Sequence, residues 1–146
     1  MKKLLLIVLP LLLIVGCSKE PINYDEILKY EKVTNTKFTN RGDGVYYTKD
    51  TNKPYSGPVF SLHKNGDKAS EGNLKDGKKD GLWISRTETN ILVGRGNSIH
   101  WERTYKDGIR HGLSTRYSDG QKRSEIKYKN GFDVKIIIKD GKKILY

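Results

Sequence analysis

The side chains able to do chemistry in this sequence are few, and their spacing is poor for catalysis. Its histidines are His63, His100 and His111. None stands at metal-ligand spacing, and neither a thiol nor a carboxylate cluster accompanies them. His63 and His111 fall next to turn signals, so both are expected to be solvated turn residues. No Ser-His-Asp order and no pair of catalytic carboxylates stands out, and many aspartates precede a glycine as turn formers. Gly94-Arg95-Gly96 is too short for a phosphate-cradling loop and lacks a following helical pattern, so it reads as the tip of an insertion. Arg41-Gly42-Asp43 spells a tripeptide known for adhesion, yet Gly42-Asp43-Gly44 serves equally well as a turn before Val45-Tyr46-Tyr47. The expectation is a protein that is not an enzyme and that holds neither metal nor cofactor.

The aromatic residues offer a binding chemistry instead. Trp83, Trp101, Tyr105, Tyr117 and Tyr128 could pack against cross-strand neighbours, at about 0.2–1 kcal/mol per pair. They could equally form an open stacking platform for glycans, peptide or lipid headgroups, with lysines at its rim. Both readings stand at this point.

The remaining reactive group is Cys17, the one cysteine of the chain. Met1-Lys2-Lys3 and a nearly unbroken apolar run from Leu4 to Val15 precede it, and the polar Ser18-Lys19-Glu20 follows. A basic start, an apolar stretch of about a dozen residues and a small residue before a cut make a secretory signal. The run falls short of the roughly 18–20 residues needed to span a bilayer. With cysteine directly after Ile14-Val15-Gly16, the segment resembles a bacterial lipoprotein signal with its lipobox. That resemblance implies cleavage before Cys17, lipidation of its thiol and acylation of the new amino terminus. One acyl chain holds only reversibly, at about 0.8 kcal/mol per buried methylene, whereas the three chains implied here would anchor stably. Ser18 resembles the second residue of lipoproteins sorted to an outer membrane. The expected location is the bacterial cell envelope: the outer membrane of a Gram-negative cell, otherwise the outer face of the cell membrane. With its thiol consumed, the mature chain has no disulfide, metal thiolate or nucleophilic cysteine.

Loss of residues 1–16 would leave one domain's length of chain, poor in aliphatics and rich in lysine, glycine and tyrosine. The full sequence carries 28 Lys and Arg against 17 Asp and Glu, a net charge of +11, with 15 glycines and 9 tyrosines. Such a composition suits a thin β-sheet better than a helix bundle, since strands favour aromatic and branched residues and turns favour glycine. An exported protein rarely meets nucleic acid, so none is expected as a partner. Anionic headgroups or acidic glycans are easier partners for the charge, at about 1 kcal/mol per residue near the surface, and most of it is expected to be a solvated face.

Turn dipeptides punctuate the chain: Asn65-Gly66, Asp76-Gly77, Asp80-Gly81, Asp107-Gly108, Asp119-Gly120, Asn130-Gly131 and Asp140-Gly141. Between short alternating runs these are the strongest local hairpin signal, because a type I′ turn needs positive φ twice. Gly108 to Gly131 is 23 residues and Gly57 to Gly81 is 24, while Gly77 to Gly108 is 31, giving a period of about 23 with one insertion. Leu74-Lys75-Asp76-Gly77 aligns with Tyr105-Lys106-Asp107-Gly108, Tyr128-Lys129-Asn130-Gly131 and Ile138-Lys139-Asp140-Gly141. Period-2 alternation upstream places Trp101, Arg103 and Tyr105 on one face, and likewise Ile126 with Tyr128 and Val134 with Ile136 and Ile138. One face should be aromatic or aliphatic and the other charged, as in a sheet covered on one side.

The run from Tyr55-Ser56-Gly57 through Glu71-Gly72-Asn73-Leu74-Lys75-Asp76-Gly77-Lys78-Lys79-Asp80-Gly81-Leu82-Trp83, and again Tyr105-Lys106-Asp107-Gly108-Ile109-Arg110-His111-Gly112, resembles the bacterial variant MORN (membrane occupation and recognition nexus) repeat over residues 45–141. Proteins with such units are often grouped as YwqK-type toxin–antitoxin antitoxins. Two departures stand out: an insertion at residues 86–99, and Gly131-Phe132-Asp133-Val134, which lacks a second turn glycine and reads as a degenerate cap.

The expected organisation is therefore a lipoprotein signal at 1–16, a lipidated N-terminus and tether at 17–44, and a MORN-like repeat domain at 45–146. In the tether, Tyr24 to Glu31 could form two helical turns with Ile27 and Leu28 on one side. The fold should be all-β, with tandem antiparallel hairpins in an elongated single sheet. The expected function is a membrane-anchored binding or scaffolding module with a protein or envelope-polymer partner. The resemblance implies an alternative, an antitoxin or immunity protein that occludes an exported toxin.

Overall fold

The computed structural model describes residues 19–31, 44–88, 96–139 and 142–144. Cys17, Arg41-Gly42-Asp43, Gly94-Arg95 and Asp140-Gly141 lie outside the described residues.

The fold is all-β. After β1 (Ile22–Asn23), one helical turn α1 (Tyr24–Ile27) and the hairpin pair β2 (Leu28–Glu31) and β3 (Val45–Thr48) come β4 (Gly57–Leu62), β5 (Lys68–Lys75), β6 (Lys78–Arg86), β7 (Ile99–Lys106), β8 (Ile109–Ser118), β9 (Gln121–Lys129), β10 (Phe132–Lys139) and β11 (Lys142–Lys143). Strands β4 to β11 form an antiparallel meander in sequence order, and β1 adds to β4 in parallel at the first edge. Strands β2 and β3 form a separate two-stranded sheet.

Four of the expected turns are type I′ hairpins. Asp76-Gly77, Asp107-Gly108, Asp119-Gly120 and Asn130-Gly131 each carry positive φ at both positions, which matches the right-handed twist of the flanking strands. At Asn65-Gly66 only the glycine is left-handed, and the Asn65 side chain accepts the Asp67 N–H instead.

Asp80-Gly81 is not a turn. It lies inside β6, where φ of +71° at Gly81 marks an irregularity in pairing with β5. Gly112 repeats the arrangement inside β8, at φ +97°. These interruptions have a mechanical role. Each is preceded by a carbonyl, of Lys79 or Arg110, that accepts the N–H of the next turn glycine, Gly108 or Gly131, at 2.8 Å. Successive turns are thereby latched onto one another at one end of the sheet. The last unit bulges as well, at Val134 between the pairs Asp133–Tyr128 and Lys135–Lys127, with a second shift between Ile136 and Ile138. The expected common face of Val134, Ile136 and Ile138 is therefore broken, because each extra residue reverses the alternation.

The segment expected to be a tether folds onto the sheet. Asn23 caps α1 through its side chain, but the helix ends after one turn and Leu28 begins a strand. Ile27 is exposed and Leu28 buried, so the two do not share a side. A helix this short gains too few hydrogen bonds to persist, and pairing with β3 takes the chain instead. Leu28 joins Val59, Leu74, Trp83 and Tyr105 in the core, flanked by Ile22, Tyr24, Tyr46 and Tyr55. Tyr24 Oη lies 2.9 Å from Ser70 Oγ, and the Tyr24 ring meets those of Tyr46 and Trp83. The single-layer sheet thus acquires a core where α1, β2 and β3 lie across one face.

Candidate binding surface

Register assigns the candidate aromatics to faces. Gly81–Tyr105, Trp83–Arg103 and Ser85–Trp101 pair across β6 and β7, Arg103–Ser114 and Trp101–Arg116 across β7 and β8, and Gly112–Tyr128 across β8 and β9. Trp83, Trp101, Tyr105 and Tyr128 therefore share the face that carries the core. Tyr117 does not. It stands on the opposite face, where its hydroxyl donates to Glu102 at 2.9 Å. Burial and that carboxylate both raise its pKa.

The four aromatics divide again by burial. Trp83 and Tyr105 are core residues. The indole of Trp83 occupies the space that a side chain on Gly72 would take, and its N–H donates to the Asn73 carbonyl at 3.0 Å. Lys79 Nζ sits 4.2 Å from its ring centroid and 5.5 Å from that of Tyr105. Burial, reinforced by the charge of Arg103, lowers the Lys79 pKa to about 8. Trp101 and Tyr128 are half-buried, and their rings lie under cations. The Arg103 and Arg116 guanidiniums are 4.2 and 5.7 Å from the Trp101 centroid. Arg110 is 5.1 Å from that of Tyr128 and donates to its hydroxyl at 3.2 Å.

What this face offers is thus guanidinium laid on aromatic rings rather than bare rings. Arg103, Arg110 and Arg116 escaped the sequence reading as site residues, although the alternation Trp101/Arg103/Tyr105 already placed one of them. No ion pair joins any of the three to a carboxylate among the described residues. Arg103 Nε and Ser114 Oγ, on cross-strand neighbours, are buried without a hydrogen-bond partner there. A crevice of about 50 Å³ between Trp83 and Trp101 is lined by Ser70, Lys79, Ser85, Arg103 and Tyr105, room for no more than a water or two.

Glu71, Glu102 and Glu125 lie on the opposite face, while Asp133 pairs with Tyr128 on the core face. Glu71 takes Lys68 at 2.8 Å and Arg86 at 2.5 Å. The Lys68 hydrogen bond, partly opposed by burial and aided by Arg86, holds its carboxyl below the usual range. Glu125 takes Lys122 at 2.5 Å. Near the far end of the strands a polar groove of about 250 Å³ is lined by Thr87, Ser98, His100, Arg116, Tyr117 and Asp119, among others. The described ends of the 86–99 insertion pair through Thr87 N–H and the Ser98 carbonyl at 2.9 Å, which extends the β6–β7 hairpin.

The histidines are less solvated than expected. His63 Nε2 lies 3.1 Å from the Arg86 carbonyl. His111 sits within β8 rather than in a turn, with a buried Nδ1. His100 stands edge-on to Trp101. No group of three His, Cys, Asp or Glu residues suited to a metal ion occurs among the described residues, and no helix among them is long and apolar enough to cross a membrane. Neither a family model, nor a curated protein, nor a solved structure matches the chain.

Proposed function

We propose that this chain is a lipid-anchored, non-enzymatic binding module of the bacterial cell envelope, built from variant MORN-type hairpins and attached through Cys17. The observation that carries the reading is the division of the core face. One part is closed by α1, β2 and β3. The rest presents Arg103, Arg110 and Arg116 on a bed of Trp101 and Tyr128, with Glu71, Glu102 and Glu125 on the other face. Arginine held flat on an aromatic ring keeps its edge donors free and loses little freedom on binding. An acidic protein segment or anionic envelope polymer is the partner such a face fits.

The test is a pull-down from detergent-solubilised envelopes with the lipidated protein and its Arg103→Ala/Arg116→Ala variant. A partner retained by the wild type and lost by the variant supports the reading. Equal recovery by both removes this face from the function. A partner that proves to be an exported toxin would turn the module into an immunity protein. Membrane fractionation of Cys17→Ser tests the anchor separately, with loss of acylated protein as the expected result.

A further inference from the structure

Two neighbouring cations stand on the core face with no anion to answer them. Lys79 pairs with the buried Leu74 across β5 and β6, and Arg103 pairs with Trp83 across β6 and β7, so both side chains stand on that face. The charge that bears on Lys79 is that of Arg103, and neither residue forms a salt bridge among the described residues. Glu71, Glu102 and Glu125 occupy the other face. Asp133 shares the core face through Tyr128, but β10 lies three strands from β7, roughly 14 Å at the usual strand spacing.

A desolvated cation without a counter-ion is unfavourable, and so is a buried donor without an acceptor. Arg103 Nε is buried with no hydrogen-bond partner among the described residues, as is Ser114 Oγ on the residue opposite it. Lys79 and Arg103 line one crevice of about 50 Å³, walled by Trp83 and Trp101 and also lined by Ser70 and Ser85. These serines oppose each other across β5 and β6. The crevice lies where the covered part of the face, with Trp83, meets the open part, with Trp101.

Size and lining select the occupant. Room for a water or two accommodates the three heavy atoms of a carboxylate but not the five of a phosphate. A carboxylate there would meet an ammonium and a guanidinium, whose hydrogen bonds to it are of the strong, charge-assisted kind. The two indoles would pack against the methylenes that carry it. Aspartate and glutamate deliver their carboxylates on such a stem. A uronic sugar bears its carboxylate directly on the ring, which is too bulky to follow it in.

We infer that this crevice is a socket for one aspartate or glutamate side chain of the partner, which makes an acidic protein segment, rather than an anionic polymer, the ligand of the arginine–aromatic face. The inference rests on the binding-module reading. Lys79 and Arg103 hold the inserted carboxylate, and Arg110 and Arg116, outside the crevice, remain for the rest of the segment.

The experiment follows the intrinsic fluorescence of the mature lipidated protein in detergent micelles, because the two tryptophans of the chain, Trp83 and Trp101, are the walls of the crevice. The probes are glutamate blocked at both backbone ends, its glutamine counterpart, galacturonate and inorganic phosphate, at pH 7 and constant ionic strength. The expected result is a saturable change with blocked glutamate and at least about tenfold weaker binding of the other three, a comparison that needs no variant. Lys79→Met should weaken glutamate binding at least about tenfold, whereas Lys78→Met, beside it but on the other face, should leave it unchanged. No saturation with glutamate would overturn the inference, as would equal binding of any other probe or indifference to Lys79→Met. In the envelope pull-down, a partner lost by Arg103→Ala/Arg116→Ala but fully retained by Lys79→Met would overturn it too, while sparing the module. Failure of the module reading would look different, since Arg103→Ala/Arg116→Ala would then recover as much as the wild type.

Discussion

Among the described residues, Lys79 is a lysine whose charged form burial disfavours, and replacing it with methionine should stabilise the protein. Its ammonium is held among Trp83, Tyr105 and Arg103, which lowers its pKa from 10.5 to about 8. A shift of that size corresponds to about 3 kcal/mol against the charged form. The attraction of the ammonium to the two rings returns about 0.5–2 kcal/mol. Lys79→Met keeps the length of the side chain and removes the charge, so a gain of about 1–2 kcal/mol at pH 7 is expected. The sign of its pH dependence is fixed. Because the folded-state pKa lies below the unfolded one, the folded protein binds fewer protons between them, and the wild type recovers stability as pH rises from about 8 towards 10.5. The advantage of the variant should therefore be full at pH 7 and largely gone by pH 10.5. Paired urea denaturation curves followed by circular dichroism at both pH values would show it. A variant less stable than wild type at pH 7, or an advantage unchanged with pH, would refute the account.

Gly72→Ala should cost about 1–3 kcal/mol, because its methyl would overlap the Trp83 indole, and calorimetry would register the loss. Trp83→Ala should cost about 3–5 kcal/mol and expose amides of β5 and β6 to hydrogen exchange together. Burial and the neighbouring Tyr24 and Tyr30 push the Tyr46 phenol well above its usual pKa. Its contribution is therefore intact below pH 10 and lost as pH rises beyond it, so Tyr46→Phe should delay alkaline unfolding with little effect at pH 7. Glu71, held low by Lys68 and Arg86, contributes above its unfolded value and loses that contribution as pH falls. Glu71→Gln should flatten the acid limb of the stability profile, and an unchanged limb would count against the ion pairs.

Much of the hairpin array was legible because a type I′ turn requires left-handed backbone twice, and Asp-Gly and Asn-Gly accept it most readily. The same chemistry misled at Asp80-Gly81. A left-handed glycine inside a strand and one in a turn look alike in sequence, and only the pairing of β5 with β6 separates them. Tyr117 was misassigned for a different reason. It directly follows Arg116, which pairs with Trp101 on the core face, so alternation turns it to the opposite face, and only the pairing of β7 with β8 sets that phase. The segment from Ile22 to Leu28 was illegible as core because its apolar residues follow neither a helical nor a strand period. Their burial depends on a surface made by strands that come later. The surface site was half visible: alternation set tryptophan, arginine and tyrosine on one side, but only packing distinguished the buried Trp83 and Tyr105 from the cation-covered Trp101 and Tyr128.

The buried hydrophobic residues among those described, Leu28, Val59, Leu74, Trp83 and Tyr105, all precede residue 106, and the described side chains of β8 to β11 add none to them. These strands are held by ladder hydrogen bonds, by cross-strand contacts and by the latch of each turn onto the hairpin before it. The length of the array is therefore uncoupled from the part that makes the protein fold. Descendants of such a gene could gain or lose a hairpin unit beyond β7 by duplication or deletion and leave the founding unit intact. The extent of the sheet would then evolve as a copy number, while its core stays fixed.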